Sequence, residues 1–161
     1  MSFNQKRFLS NEDVIFVFVG DGVEKDRLVK RSRNEKITNA YFLPSIQKKA
    51  IPDLLKHFDC SYMTGLPSPL YRFGLCLNKM YDSMMAGIPI VCAFDAPDTL
   101  VKIYDCGVQC SSAKTEDVVD AIKKLKDMTS DERNRIGNNG RNAVLQHFTY
   151  KQLAKEFLEN I

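Results

Sequence analysis

Residues 74–91, GLCLNKMYDSMMAGIPIV, hold the residue types whose spacing could do chemistry. A glycine precedes an Asn-Lys pair, a carboxylate follows at Asp82, and Gly87-Ile-Pro89 leads into an apolar run. The pattern predicts a loop with free backbone amides running into a helix N-terminus, which is a site for phosphate. Gly74 would make the tight turn. The amides of Leu77, Asn78 and Lys79 would act as donors, and Lys79 would add a point charge. Asp82 would follow one turn down the helix, where a carboxylate can accept hydrogen bonds from sugar hydroxyls. Phosphate and a polyol together point to a nucleotide, and more specifically to a nucleotide-sugar. The blander alternative is a capped helix with a surface lysine and a solvent-facing aspartate.

These residues need elements to hold them. Residues 14–19 (VIFVFV) form a continuous apolar run of the kind found in a buried parallel strand. Gly20-Asp21-Gly22 ends it, and residues 24–34 read as a helix. Strands are also expected over 40–43, 60–63, 90–93 and 107–110. Between them lie helices over 51–58, with Pro52 in its first turn, and over 78–86, with Gly87 as its C-cap. Asp98 is expected to cap a helix over 99–105, and Thr115 one over 116–128. Ser130 would cap a short helix to about residue 138, followed by separate helices over about 142–147 and 150–159. Alternating strands and helices imply a parallel sheet covered on both faces. Ligands of such sheets bind beyond the carboxyl ends of the strands. There Gly20 and Gly22 would let the chain pass close to a ligand, and backbone groups of Leu43, Pro44 and Ser45 would flank a base.

Composition narrows the classes. The chain has 161 residues, enough for one domain with a full core. Its 23 basic and 20 acidic side chains give a net charge of +3, too small for a nucleic-acid footprint. No apolar run is long enough to cross a membrane, and MSFNQKRFLS lacks the apolar core of a signal peptide. Five cysteines without a C-x-x-C indicate neither a disulfide framework nor a zinc site, and a reducing compartment is expected. His57 and His147 have no acid at metal spacing, and His147 reads as a packing residue beside Phe148. Tyr62, Tyr71 and Phe73 are candidates for a donor-sugar pocket or for the core. The basic residues Lys25, Arg27, Lys30, Arg31, Arg33 and Lys36 read as a solvated helix face, with docking to an anionic membrane as the rival use.

The order strand–GDG–helix, then YFLP, then glycine/NK/acid/AGIP resembles the C-terminal domain of glycosyltransferase family 4, and Arg141–Tyr150 (RNAVLQHFTY) resembles that family's run into its final helix. The resemblance covers residues from about 14 to the end. It implies one half of a GT-B architecture, built of two Rossmann-like halves, and retaining transfer from a nucleoside-diphosphate sugar without a metal. The family has two acids eight positions apart. Asp82 takes the place of the second, which the resemblance assigns to ribose, and Gly74 takes the place of the first, which contacts the sugar. The Asn78-Lys79 pair is similar to that of bacterial surface-polysaccharide transferases, which implies a deoxy- or amino-sugar donor. The family's first strand, with its Gly-Arg and Lys-Gly phosphate ligands, should precede Val14, where only MSFNQKRFLSNED stands.

The expectation is therefore an α/β fold, Rossmann-like, with a mostly parallel sheet and helices on both faces, as one donor-nucleotide-binding domain over residues 1–161. Residues 1–13 are expected to be partly disordered. The expected function is the donor-binding half of a retaining glycosyltransferase, UDP-linked or similar in its substrate, with no cofactor and no metal. A glycan or lipid-linked acceptor would be held by an N-terminal domain outside this chain, and the chain alone is expected to be inactive. Cytoplasmic placement follows, with peripheral contact at the inner face of the membrane as the variant. A dinucleotide-dependent oxidoreductase is the first rival, but in GDGVEK Lys25 stands where the third glycine belongs. A non-catalytic nucleotide-binding module is the second.

Overall fold

The computed structural model describes residues 13–160, so the expectation for residues 1–13 lies outside the described residues except at Asp13. The described chain divides after Ile51 into two compact units.

In the first unit β1 (Phe16–Val19) and β2 (Ala40–Leu43) pair in parallel, Phe16 opposite Ala40 and Val19 opposite Leu43. Both are short runs of aromatic and aliphatic residues that suit a pleated surface. The Phe18 and Phe42 rings stack with centroids 5.0 Å apart. Helix α1 (Lys25–Asn34) connects the strands, with Asp26 in its first turn and Arg31 and Arg33 in its last, as the helix dipole favours. Asn39 Nδ2 donates to the Val14 carbonyl at 2.8 Å and ties the entries of the two strands together. Among the described residues of this unit only Ser32 and Asn39 are buried, and no apolar side chain among them is fully buried.

Helix α2 (Ile51–Leu55) starts at the boundary, after a 3₁₀ turn at Lys48–Ala50. The second unit carries β3 (Ser61–Thr64), β4 (Ile90–Ala93) and β5 (Gly107–Cys110), all parallel, in the order β3-β4-β5. Its helices are α3 (Asn78–Ala86), α4 (Leu100–Ile103), α5 (Thr115–Asp127), α6 (Ser130–His147) and α7 (Tyr150–Glu159). The central strand β4 is buried at every residue. Side chains alternate along a strand. Ile90 and Cys92 accordingly join Met80, Met84, Val101, Ala143 and Val144 in one cluster. Val91 packs with Ala121, Leu125 and Ile136 in another. Helices thus cover both faces of this sheet, as the alternating pattern predicts. Each fully buried aliphatic or methionine side chain contributes about 1.5–3 kcal/mol.

Element ends differ from the sequence expectation in informative ways. Ser130 does not open a short helix, and there is no break between residues 138 and 142: α6 is continuous from Ser130 to His147. Glycine usually weakens a helix, but here Gly137 serves close packing. A Cβ at Gly137 would overlap the Gly87 carbonyl, and one at Gly140 would lie 3.0 Å from Cys106 Cβ. The α6 cap is Thr129, whose hydroxyl accepts from the Glu132 amide while Glu132 accepts from the Thr129 amide, a full capping box. Thr99 rather than Asp98 caps α4, and Lys114, with no side-chain bond, precedes α5. Gly87 ends α3 in the left-handed conformation (φ 74°), as predicted.

This packing has a direct consequence. Gly137→Ala is expected to lower stability by about 1–3 kcal/mol, since backbone must move to admit the methyl group. Gly22→Ala, where nothing lies within 4 Å of the added carbon, should be close to neutral. Paired urea melts of the two variants measure the contrast.

Candidate functional site

In the first unit the expected site residues lie at the carboxyl ends of β1 and β2. Gly20 has φ 146°, and its amide donates to the Leu43 carbonyl at 3.3 Å. The Gly22 carbonyl accepts from the Lys25 amide at 2.9 Å, which starts α1. Between these glycines Asp21 organises the loops. Its Oδ1 accepts from Lys25 Nζ at 2.7 Å, and its Oδ2 accepts from the Ser45 amide at 2.8 Å. Lys25 Nζ also donates to the Leu43 carbonyl at 2.9 Å. Gly20, Leu43, Pro44 and Ser45 are therefore held as one piece by the Asp21–Lys25 pair. The lysine hydrogen bond, followed by those from Ser45, keeps the Asp21 carboxyl well below the usual carboxylate range. From sequence, Asp21 has only a place in the turn after β1, and Lys25 a place on a basic face and at the missing third glycine of a dinucleotide fingerprint. The available signal was their i,i+4 spacing across the turn into a helix. Further along, Arg27 pairs with Glu24 and Arg31 with Glu35, so the basic face of α1 is laced with acids.

In the second unit Gly74, with φ 110°, closes the 3₁₀ turn Pro69–Phe73 by donating to the Tyr71 carbonyl at 3.1 Å. Leu77 is the extended N-cap of α3, and its carbonyl accepts from the Met80 amide at 2.9 Å. The amides of Asn78 and Lys79 donate to no described residue, as expected for the first turn of a helix. Met80, Ser83 and Met84 are buried, which turns Asn78, Lys79 and Asp82 outward. Asn78 and Asp82 stand at i,i+4 spacing on the exposed side. Free amides, an ammonium and a carboxylate one turn along are thus brought together, on a helix anchored by methionines in the core.

Two loops meet beside this helix. Tyr71 packs edge-on against Phe94 with centroids 5.2 Å apart, and a Cβ at Gly65 would meet both rings. Of the aromatic candidates, Tyr71 is thus part of the core, while Phe73 is exposed under the Arg72 guanidinium, 4.6 Å from its ring centroid. His147 stacks on Tyr104 at 5.8 Å and neighbours Phe148, a packing role as expected. All five cysteines are free. Burial pushes the Cys92 thiol up to about 12 and those of Cys60 and Cys106 up to about 11, away from the thiolate form.

A cavity of about 650 Å³ lies beside the loop after β4, lined in part by Asp95, Lys102, Gln109, Ser111 and Lys124. Another, of about 390 Å³, sits at Gly87 and Pro89, before the amino end of β4. Neither is lined by a predicted site residue. Among the described residues no group of three or more His, Cys, Asp or Glu side chains could hold a metal ion, and no helix is long and apolar enough to cross a membrane.

The Asp21 network sets a pH response. A carboxyl held below its ordinary value keeps its interactions above that lowered value and loses them only as the pH falls through it. The Ser45 amide resonance should therefore stay in place as the pH is lowered past about 4, where free aspartates titrate. It should move only at lower pH. An NMR titration checks this, and Asp21→Asn should shift the resonance at neutral pH.

Comparisons with known proteins place the fold. No curated protein matches the chain. Among solved structures, sucrose-phosphate synthase from Thermosynechococcus elongatus is similar over 96% of this chain, with a TM-score of 0.72 and 14% identity. WaaG, a glycosyltransferase involved in lipopolysaccharide biosynthesis, is similar over 94%, with a TM-score of 0.66 and 13% identity. The match takes in 40% and 41% of those two chains. The shared feature is the α/β fold with parallel sheets and flanking helices of GT-B glycosyltransferase domains. The model of the glycosyl transferases group 1 family matches residues 3–143, and the chain belongs to that family.

Proposed function

We propose that this chain is the donor-binding half of a retaining glycosyltransferase of family 4, moving a sugar from a nucleoside-diphosphate sugar to a glycan or lipid-linked acceptor. The observation that carries the reading is the N-terminal half of α3. There the unpaired Asn78 and Lys79 amides, the Lys79 ammonium and the exposed Asp82 carboxylate share one end of a buried-core helix.

In this reading the donor diphosphate lies on the Leu77–Lys79 amides. Breaking the bond to the sugar builds negative charge on the leaving diphosphate. Fixed N–H donors, the positive end of a helix dipole and a lysine oppose that charge without having to reorganise. Asp82 accepts from the ribose hydroxyls and so orients the nucleotide. Gly74 presents backbone and no carboxylate to the sugar, which fits a donor other than an ordinary hexose, such as a deoxy- or amino-sugar. The acceptor is held by the other half of the enzyme. No resident cofactor is required, because the nucleotide-sugar is itself the substrate. Work on a lipid-linked or polysaccharide acceptor would be done on the cytoplasmic side, at the membrane surface.

Calorimetric titration with UDP, GDP and the other nucleoside diphosphates tests the reading. One of them should bind, and amide shifts should map to residues 74–82. Asp82→Ala should weaken that binding by about 1–3 kcal/mol, the scale of a lost hydrogen bond to a charged group, with little change in stability. Affinity unchanged in this variant would remove Asp82 from the site, and the absence of binding by any diphosphate would overturn the function proposed.

A further inference from the structure

Strand β5 carries a half-buried glutamine, Gln109. Val108 and Cys110 pack on the cluster formed with α5. By strand alternation Gln109 faces the opposite side, toward Thr99 and the loop after β4. Gln109 makes three hydrogen bonds there. Its Nε2 donates to the carbonyls of Phe94 at 3.3 Å and Ala96 at 2.6 Å. Its Oε1 accepts from the Thr99 hydroxyl at 2.7 Å. Thr99 is fully buried and also accepts from the Lys102 amide at 3.4 Å to cap α4. A polar group drawn into a core is costly unless its bonds are made, and a satisfied network of this kind specifies one geometry.

The geometry specified is that of residues 94–99. With the Phe94 carbonyl turned to Gln109, the Asp95 N–H of the same trans peptide points the other way. No described residue accepts from it. The Phe94 ring in turn supports Tyr71, in the 3₁₀ turn that leads to Gly74 and the start of α3. If the diphosphate lies on the first turn of α3 and the ribose on Asp82, the sugar extends from the far side of the diphosphate. Leu75 and Leu77, which lead into α3, pack on the same cluster as Phe94 and Tyr71, so the Tyr71 turn and the loop after β4 adjoin the start of α3.

We infer that Gln109 and Thr99 are positioning residues that hold the loop at residues 94–99, and with it the Asp95 N–H, in place for the sugar end of the donor. The inference rests on the donor-binding reading given above. It adds the residues that set recognition of the sugar, as distinct from the nucleotide. Neither side chain touches the donor; they act through the loop.

The experiment compares UDP and GDP with UDP-glucose, UDP-N-acetylglucosamine and GDP-fucose by calorimetry. The proteins are the wild type, Gln109→Leu, Thr99→Val, Thr99→Ser and the Gln109→Leu/Thr99→Val double variant. In the wild type at least one sugar-linked form should bind more tightly than its parent diphosphate. Gln109→Leu and Thr99→Val should each reduce the affinity for that form roughly three- to tenfold, the scale of one misplaced hydrogen bond. Affinity for the parent diphosphate should hold within about twofold, a split that general loss of structure would not produce. Thr99→Ser, which keeps the hydroxyl, should behave as wild type. The double variant should be no weaker than the worse single one, as for residues that act as a unit. Equal losses for both ligand types, no loss in either variant, or a wild type that gains nothing from any of the sugars would overturn the inference. Failure of every diphosphate to bind the wild type would instead overturn the donor-binding reading beneath it.

Discussion

The close approach of α6 to the Gly87 turn is the constraint on which the second unit depends. At Gly137 the helix lies against the Gly87 carbonyl with no room for a methyl group, and at Gly140 it lies against Met84 and Cys106. Backbones this close leave little freedom of tilt, because interiors are packed to the density of organic crystals. The C-terminal end of α3 is therefore pinned where it turns into β4. Met80 and Met84 lie fully buried below it and fix its rotation. Once an end and a rotation are set, the first turn of α3 has one place to be. Asn78, Lys79 and Asp82 are then presented to solvent as a group.

The same unit shows how polar chemistry is distributed around such a core. The α3 N-terminus leaves its first amides unpaired, whereas α6 closes its own with a full Thr129–Glu132 box and α4 uses the buried Thr99. Capping is inexpensive in sequence terms and contributes about 0.5–2 kcal/mol per helix. Leu77 at the α3 cap forgoes that contribution, and its side chain packs on the core instead. A helix that keeps its N-terminal donors open at the carboxyl end of a parallel sheet has them free for an anion.

The first unit is organised on different terms. Among its described residues no apolar side chain is completely buried, and backbone pairing and the Asp21 carboxylate tie its strands and turns together. One carboxylate engaging a lysine and a loop amide ties the turn after β1 to the turn after β2. Exposed pairs of this kind contribute little to stability. What Asp21 supplies is geometry: it sets the positions of Gly20, Leu43 and Ser45 relative to one another.

Local pattern determined much of this protein. The apolar run at residues 90–93, the C-cap at Gly87 and the outward residues of α3 follow from composition and period, because each depends on neighbours within one or two turns. The alternation of strands and helices likewise specified an α/β fold with parallel pairing, and the ordered motif from Gly74 to Pro89 pointed to the family. Tertiary structure alone decided three further matters. It decided that Gly137 and Gly140 lie inside one helix, since a glycine that reads locally as a breaker is required where another backbone passes. It decided that Thr99, and not Asp98, is the cap, since the partner that holds its hydroxyl, Gln109, is ten residues away on strand β5. And it decided the role of Asp21, whose second partner, Ser45, lies 24 residues on. Contacts of that range depend on how the chain returns upon itself, and no short window of sequence contains both partners.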